Sequence, residues 1–295
     1  MNKGSKLILM FLSLFCSRRL SAELQYLKIP VFARPEGMAG AYTGIALGPE
    51  SLYYNPAGPV HQEGEKSALS VGHTAWLEGI NKESAVFLLP ANPYLKGVGI
   101  DYFSVPGLDS YDGAGNKTGS LGYQDTSVTL NWGIKKELAS LGGNVKYLKE
   151  RIGQYKGSGY ALDLGALVPL LPALKFGCSL SNLGRFDLNG QKNSLPRILR
   201  TGLGLEVEEM FLIGVDLERT GGRNYMHLGG EISQSGYSLR LGWQETDRSG
   251  LYTLGAGVRT DSGWGAGQDL VINYSYMGGG YFDTAIHRFD IGVEF

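Results

Sequence analysis

Cysteine is almost absent: the 295 residues hold two, Cys16 and Cys178. Cys16 lies in an apolar N-terminal run. A mature chain without that run keeps one thiol and forms no internal disulfide. Cys178 alternates with Phe176 and Leu180, the pattern of a small apolar side chain on a strand face. Histidine is nearly as scarce, and the four present (His61, His73, His227, His287) show neither HxxxH nor HExxH spacing. No CxxC occurs, so zinc has no signature. The G-x-S-x-G turn of a serine hydrolase is missing. The Gly-rich tract Asp112–Asn116 is not followed by Lys-Ser/Thr in the place a phosphate loop requires. These absences argue against an enzyme and against any cofactor or metal. Asp109, Asp112, Asn116 and Asp125 offer a hard cation loose ligands at best. They read more simply as a solvated loop.

Long hydrophobic runs are missing too. Beyond the N-terminus the best candidate, Leu162–Leu174, is short and interrupted by Pro169 and Pro172. A membrane helix needs about 20 apolar residues, so any membrane role has to come from strands. Net charge is -1, which gives no reason to expect a nucleic-acid partner. No linker-like tract divides the chain, and its length reads as one large domain.

At the N-terminus, Lys3 and Lys6 precede the apolar run Leu7–Cys16, and Leu20-Ser21-Ala22 offers a small-residue cut before Glu23. Together they read as a cleaved export signal over residues 1–22. Acylation of Cys16 is the alternative, but Phe15 stands where such processing wants a small residue.

What the chain has in plenty is glycine, 45 residues, and tyrosine, 17. Glycine is at about twice its average usage. The rest is alternation. Phe289, Ile291, Val293 and Phe295 share one face of the last segment, with Arg288, Asp290, Gly292 and Glu294 on the other. Tyr237, Leu239, Leu241 and Trp243 repeat the pattern, as do Phe211, Ile213, Val215 and Leu217. Aromatic residues close several apolar faces, at Trp132, Trp243, Tyr276 and Phe295. Segments of about ten alternating residues between turn residues, with aromatic ends, are the signature of a transmembrane β-barrel. A soluble β-sandwich also alternates but gives no reason for the aromatic ends.

The pattern predicts an all-β fold, a transmembrane antiparallel barrel of about fourteen strands. They cover 66–76, 81–89, 96–105, 122–132, 140–151, 159–168, 174–181, 198–207, 211–219, 225–232, 237–244, 251–258, 269–276 and 287–295. The weakest is 140–151, where Lys146, Lys149, Glu150 and Arg151 blur the alternation. The longest loops, 106–121 and 182–197, fall on the end away from the C-terminus, and most short turns on the other. That is the asymmetry of outer loops and periplasmic turns. The connection 259–268 departs from it. The polar faces carry Asp101, Asp163, Asp216, Arg240, Arg288 and Asp290, with Lys175 and Glu218. These face the lumen, because a charge on the lipid face costs about 2–4 kcal/mol near the midplane.

One stretch does not alternate. Arg34–Pro59 is broken by Gly37, Gly40, Gly44 and Gly48, has small residues between them, and ends in Tyr53-Tyr54-Asn55-Pro56-Ala57-Gly58. Its four prolines exclude it from a central strand. It reads as a compact plug inside the barrel, giving three regions: signal 1–22, plug 23–60 and barrel 61–295.

The run Gly37-Met38-Ala39-Gly40-Ala41-Tyr42-Thr43, followed by Leu52-Tyr53-Tyr54-Asn55-Pro56-Ala57-Gly58, resembles the N-terminal signature of the PorV/PorQ family. Those are outer-membrane barrels related to the FadL fatty-acid channel. Leu195-Pro196-Arg197, Ser181-Asn182-Leu183-Gly184 and His287-Arg288-Phe289 add weaker matches. The resemblance implies a hatch, with Gly37, Gly40, Tyr53, Tyr54, Asn55, Pro56 and Ala57 as its residues. It implies an outer-membrane location, with membrane lipid and the barrel-insertion machinery as partners. It leaves two functions open. One is a plugged channel for small hydrophobic molecules. The other is a scaffold or shuttle in type IX-like secretion, holding a secreted protein cargo.

Phe295 closes the last alternating face at the carboxy-terminus, as an assembly signal would. Replacing it with Asp should lower the amount of protein recovered in the outer-membrane fraction. Unchanged recovery would remove Phe295 from any role in assembly.

Overall fold

The computed structural model describes residues 24–62, 66–76, 79–89, 91–92, 94–208, 210–247, 250–261, 267–278 and 285–295. The predicted export signal lies outside them. The strands are β1 (Ala68–Ala75), β2 (Asn81–Leu88), β3 (Gly97–Tyr111), β4 (Lys117–Lys136), β5 (Ala139–Ile152), β6 (Tyr155–Leu171), β7 (Leu174–Leu188), β8 (Gln191–Ser194), β9 (Ile198–Val207), β10 (Phe211–Thr220), β11 (Arg223–Gln234), β12 (Tyr237–Glu245), β13 (Gly250–Asp261), β14 (Asp269–Gly278) and β15 (Ile286–Glu294).

Each wall strand pairs antiparallel with its neighbours, and β1 pairs with β15 from Ala68↔Glu294 to Ala75↔His287, which closes the sheet. The short β8 only folds back on β7, and β7 pairs directly with β9. The result is a closed antiparallel barrel of fourteen strands with one appended strand. All fourteen predicted segments are strands in it. The wall starts at β1 and finishes at β15 on one side, here the terminal end. The opposite side is the hairpin end.

Turn chemistry fixes the register. Gly221 and Gly222 both have positive φ, as do Asn189 and Gly190. Two successive positive-φ residues make the two-residue hairpin turn that matches strand twist.

The two long loops were misjudged. Residues 106–121 and 182–197 are mostly strand: β3 and β4 continue around a short turn, and β7 runs to Leu188 before folding onto β8. The connections 133–139, 152–158 and 169–173 shrink to tight turns for the same reason. The alternation is weaker there, although Phe186 and Leu195 are buried inside with Tyr26, Phe103 and Leu148, and the backbone ladder continues. At 259–268, β13 reaches Asp261, and 262–266 lie outside the described residues. The wall is therefore uneven: β4 has 20 residues and β12 has 9.

The outward faces carry exposed apolar side chains all round: Leu69, Ile100, Leu130, Leu164, Ile213, Leu241, Leu254 and Ile291 among them. Burial is inside. Residues 24–62 form a short 3-10 turn (Gln25–Lys28) and three short helices, Ala33–Gly37, Ser51–Tyr54 and Gly58–His61. Met38, Tyr42, Ile45 and Tyr54 pack together against Leu212 of β10. Val31, Phe32 and Leu52 pack against Val86 and Leu88 of β2.

The segment lies on glycine. Gly204, Gly214, Gly229 and Gly242 stand directly opposite one another across β9–β12. Gly133, Gly142 and Gly165 do the same across β4–β6. A Cβ on Gly142 would sit 1.9 Å from the Pro56 carbonyl oxygen, and one on Gly214 would sit 2.1 Å from that of Ala41. Only hydrogen fits where backbone meets backbone at this distance.

Gly142→Ala should therefore lower stability by about 1–3 kcal/mol through overpacking. Gly113→Ala, in a turn with open space around it, should stay within about 0.5 kcal/mol of the parent. The temperature at which folded and unfolded forms exchange mobility on gels reads both. Equal effects would show that Gly142 is not a contact point.

Candidate functional site

A segment that is neither helix nor sheet for most of its length leaves backbone groups to be satisfied, and inside a barrel there is little water to do so. Polar side chains on the inward faces meet this need. Asp216 Oδ2 accepts from the Tyr42 and Thr43 amides at 3.1 and 2.9 Å. Asp290 Oδ2 accepts from the Ala33 amide at 2.7 Å. Carbonyls receive donors in the same way: Gly37 from Thr253 at 3.0 Å, Leu52 from Asn144 at 2.9 Å, Tyr54 from Ser179 at 2.9 Å and Pro56 from Asn131 at 3.0 Å. Lys82 Nζ reaches the Ile29 carbonyl at 2.8 Å.

Asn55 sits at the centre of this scheme and is fully buried. Its Nδ2 donates to the carbonyls of Thr43 (2.9 Å) and Ala166 on β6 (3.0 Å), and its Oδ1 accepts from the Ala57 amide (3.1 Å). It thus ties two stretches of the segment to the wall. Tyr54 donates its hydroxyl to Glu36 Oε1 at 2.7 Å, and the Tyr53 ring lies 6.0 Å from that of Phe32. Gly37 makes a close backbone approach to Gly255, and Gly40 takes a φ of +75° beside the Glu36 and His227 side chains.

Of the eight charged residues expected in the lumen, Lys175 and Glu218 are part-buried and pair with Glu206 and Arg200; the other six are buried and divide into two groups. Asp216 and Asp290 hold the segment directly. Arg288 lies 3.5 Å from Glu36 and under the Trp76 ring. Arg240 reaches it through Glu231, which also takes a two-nitrogen contact from Arg34. Asp101 and Asp163 serve the wall instead. Asp101 accepts from Ser84 and Ser127, and Asp163 from Asn144, Lys146 and the Asn182 amide. Asn182 has a φ of 63°, and Asp163 holds that left-handed kink in β7. The charges that blurred 140–151 are thereby accounted for: Lys146 faces inward to Asp163, while Lys149 and Arg151 face out.

Asn131, Asn144, Ser179, Thr253, Arg34, Glu36 and Glu231 are working residues that the search for charges on strand faces passed over. Four of them, Asn131, Asn144, Ser179 and Thr253, are neutral donors on polar strand faces. The available signal was that amides, like charges, are costly to bury without a partner.

At the seam, Thr74 of β1 donates to the Val31 carbonyl at 3.3 Å, and Ala33 donates to Asp290 of β15. Phe32 between them packs on Gly72. Three consecutive residues thus clasp the first and last strands.

Two cavities lie against the segment. At the hairpin end, about 610 Å³ is lined by Lys28, Glu36, Trp76, Tyr225, Met277 and Arg288 among others. At the terminal end, about 970 Å³ is lined by residues including Arg34, Glu50, His61, Gln62 and Lys175. The two share no lining residue. Burial pushes the Glu50 carboxyl up, to about 7. Burial, with Lys175 and Lys135 nearby, holds His61 down at about 4, so His61 is neutral at neutral pH.

The loose acidic set does not converge. Asp112 accepts from the amides of Ala114 and Asn116 within its own turn, Asp109 pairs with Lys117, and Asp125 is buried inside the wall.

No protein-family model matches this sequence, and no curated protein does. Solved structures do. A monoaromatic hydrocarbon channel, CymD, is 13% identical over 93% of this chain and 98% of its own, with a TM-score of 0.60. The toluene transporter TbuX of Ralstonia pickettii is 13% identical over 89% and 97%, with a TM-score of 0.57. A FadL homologue of Pseudomonas aeruginosa is 11% identical over 90% and 98%, with a TM-score of 0.60. The chain shares their fold over about nine-tenths of its length.

Asn55→Ala should destabilise the protein by about 1–3 kcal/mol, because two carbonyls and an amide lose partners in a buried place. Asn55→Asp should cost more, since it sets a carboxylate against those carbonyls. The thermal mobility shift ranks the three proteins. An Asp variant as stable as the parent would contradict the assigned hydrogen bonds.

Proposed function

We propose that this chain is an outer-membrane channel for small hydrophobic molecules, closed by residues 23–60 as a plug. One observation carries the reading: a non-strand segment, bonded to the inward faces around the barrel, lies against two cavities while the outer surface is apolar. Those exposed side chains are costly in water and suit a bilayer, where unpaired backbone is excluded and a closed barrel is one of two permitted structures. Residues 1–22 would export the chain and be removed. The fold shared with channels for monoaromatic hydrocarbons and toluene supports a small apolar solute. The Gly37–Thr43 and Leu52–Gly58 motifs support a PorV/PorQ-like member of the FadL type. The hatch residues are Gly37, Gly40, Tyr53, Tyr54, Asn55, Pro56 and Ala57. Asp216 and Asp290 hold the plug, and Arg240 and Arg288 hold it through Glu231 and Glu36.

Deleting residues 34–59 leaves every strand ladder intact and exposes a polar, glycine-lined lumen. In planar bilayers the deletion variant should conduct ions steadily while the parent conducts little. Equal conductance in both would show that the segment does not close the path.

A further inference from the structure

The outward face of β4–β7 changes character abruptly toward the hairpin end, and the register shows where. Ile134, Trp132, Leu130 and Val128 climb β4 on the outer side. Val128 stands opposite Tyr147, Tyr147 opposite Tyr160, and Tyr160 opposite Arg185. The Tyr147 and Tyr160 rings are 5.1 Å apart. They form an aromatic shelf where the apolar surface stops. In the next row Thr126 faces Lys149, and Lys149 faces Ser158. In the row above, Gln124 faces Arg151, and Arg151 faces Lys156. A tilted strand crosses the hydrocarbon in about 9–11 residues. Counting about nine from Ile134 ends at Thr126, so Lys149 lies at headgroup height.

Lys149, Arg151, Lys156 and Arg185 form no ion pair among the described residues. Lys149 Nζ lies over the Tyr147 ring at 5.5 Å, and Arg151 Nε donates only to the nearby Gly153 carbonyl at 3.3 Å. Two acids line the groove: Asp187 caps its own turn by accepting from the Gly190 amide at 2.8 Å and stands opposite Lys192, and Glu150 is buried and accepts from the Tyr123 hydroxyl at 2.8 Å. Other exposed cations near this end are matched: Arg223 with Asp247, Lys117 with Asp109. A groove of about 680 Å³ runs through the patch, lined by Gln124, Thr126, Tyr147, Lys149, Arg151 and Lys156 among others.

We infer that this groove binds a multiply phosphorylated, sugar-headed lipid of the leaflet at the hairpin end. Its acyl chains lie on the apolar belt, its sugar on the tyrosine shelf, and its phosphates between Lys149, Arg151 and Lys156. The inference rests on the membrane reading proposed above. Continuity with the apolar belt selects a lipid over a soluble anion. Several unpaired cations around one groove select multiple phosphates over a single one.

The test titrates purified protein in detergent with lipid A, and in parallel with phosphatidylglycerol, phosphatidylcholine and inorganic pyrophosphate, and reads bound lipid by native mass spectrometry. Lipid A should bind the parent tightest, more weakly at high salt. Lys149→Gln/Arg151→Gln/Lys156→Gln should weaken it by roughly a hundredfold, on the scale of three lost cation contacts. Arg223→Gln, whose cation is already paired, should change nothing. Arg151→Gln alone, near a hairpin tip, gives a severalfold loss if the triple variant does not fold. Unchanged lipid A affinity in these variants overturns the proposal. So does pyrophosphate or phosphatidylglycerol binding as well as lipid A, which is unspecific charge attraction. Heat-modifiable migration and outer-membrane fractionation of the same samples test the membrane reading separately.

Discussion

Everything inside this barrel follows from backbone meeting backbone. A chain segment of irregular conformation has amides and carbonyls that no ladder satisfies, and it can be held close to a sheet only where the sheet has no side chains. Two cross-strand glycine rows, Gly204–Gly214–Gly229–Gly242 and Gly133–Gly142–Gly165, provide that closeness. Around them Asp216, Asp290, Asn131, Asn144, Ser179 and Thr253 provide the partners. Neither works alone. Glycine without donors and acceptors would bury unpaired backbone, and polar side chains without glycine would hold the segment too far out to pack.

The same wall has to serve two solvents, and each strand divides the work by its period of two. Leu239 and Leu241 are exposed while Arg240 between them is buried against Glu231. On an ordinary soluble sheet the apolar face is the buried one. Here the order is inverted; some of the buried charges are matched in pairs or threes, as Arg34, Glu231 and Arg240 are, and others, such as Asp216 and Asp290, accept backbone amides.

The fold was legible in the sequence because alternation and turn residues are local signals. His287–Phe295 and Phe211–Leu217 announce their two faces without any knowledge of neighbours. That Arg34–Pro59 is not strand was legible for the opposite reason, since its prolines and glycines refuse one. Strand length was not, because beyond the apolar belt β3, β4 and β7 lose the pattern while keeping the ladder. The site was half legible. Charged residues such as Asp216 and Asp290 stand out by their cost, but Asn131 and Asn144 do not. The glycine rows exist only once the register is known, for Gly204 and Gly242 are separated by two other strands.

The clasp at the seam has a consequence for how the molecule is made. The pairing of β1 with β15 joins the two ends of the wall, and closing so long a stretch of chain is entropically the dearest step of assembly. Val31 lies 43 residues from Thr74, its partner on β1, so that contact closes the shorter loop. Ala33, two residues on, then presents its amide to Asp290, 257 residues away. The segment thus touches both edges of the wall, one across a short loop and the other across nearly the whole chain.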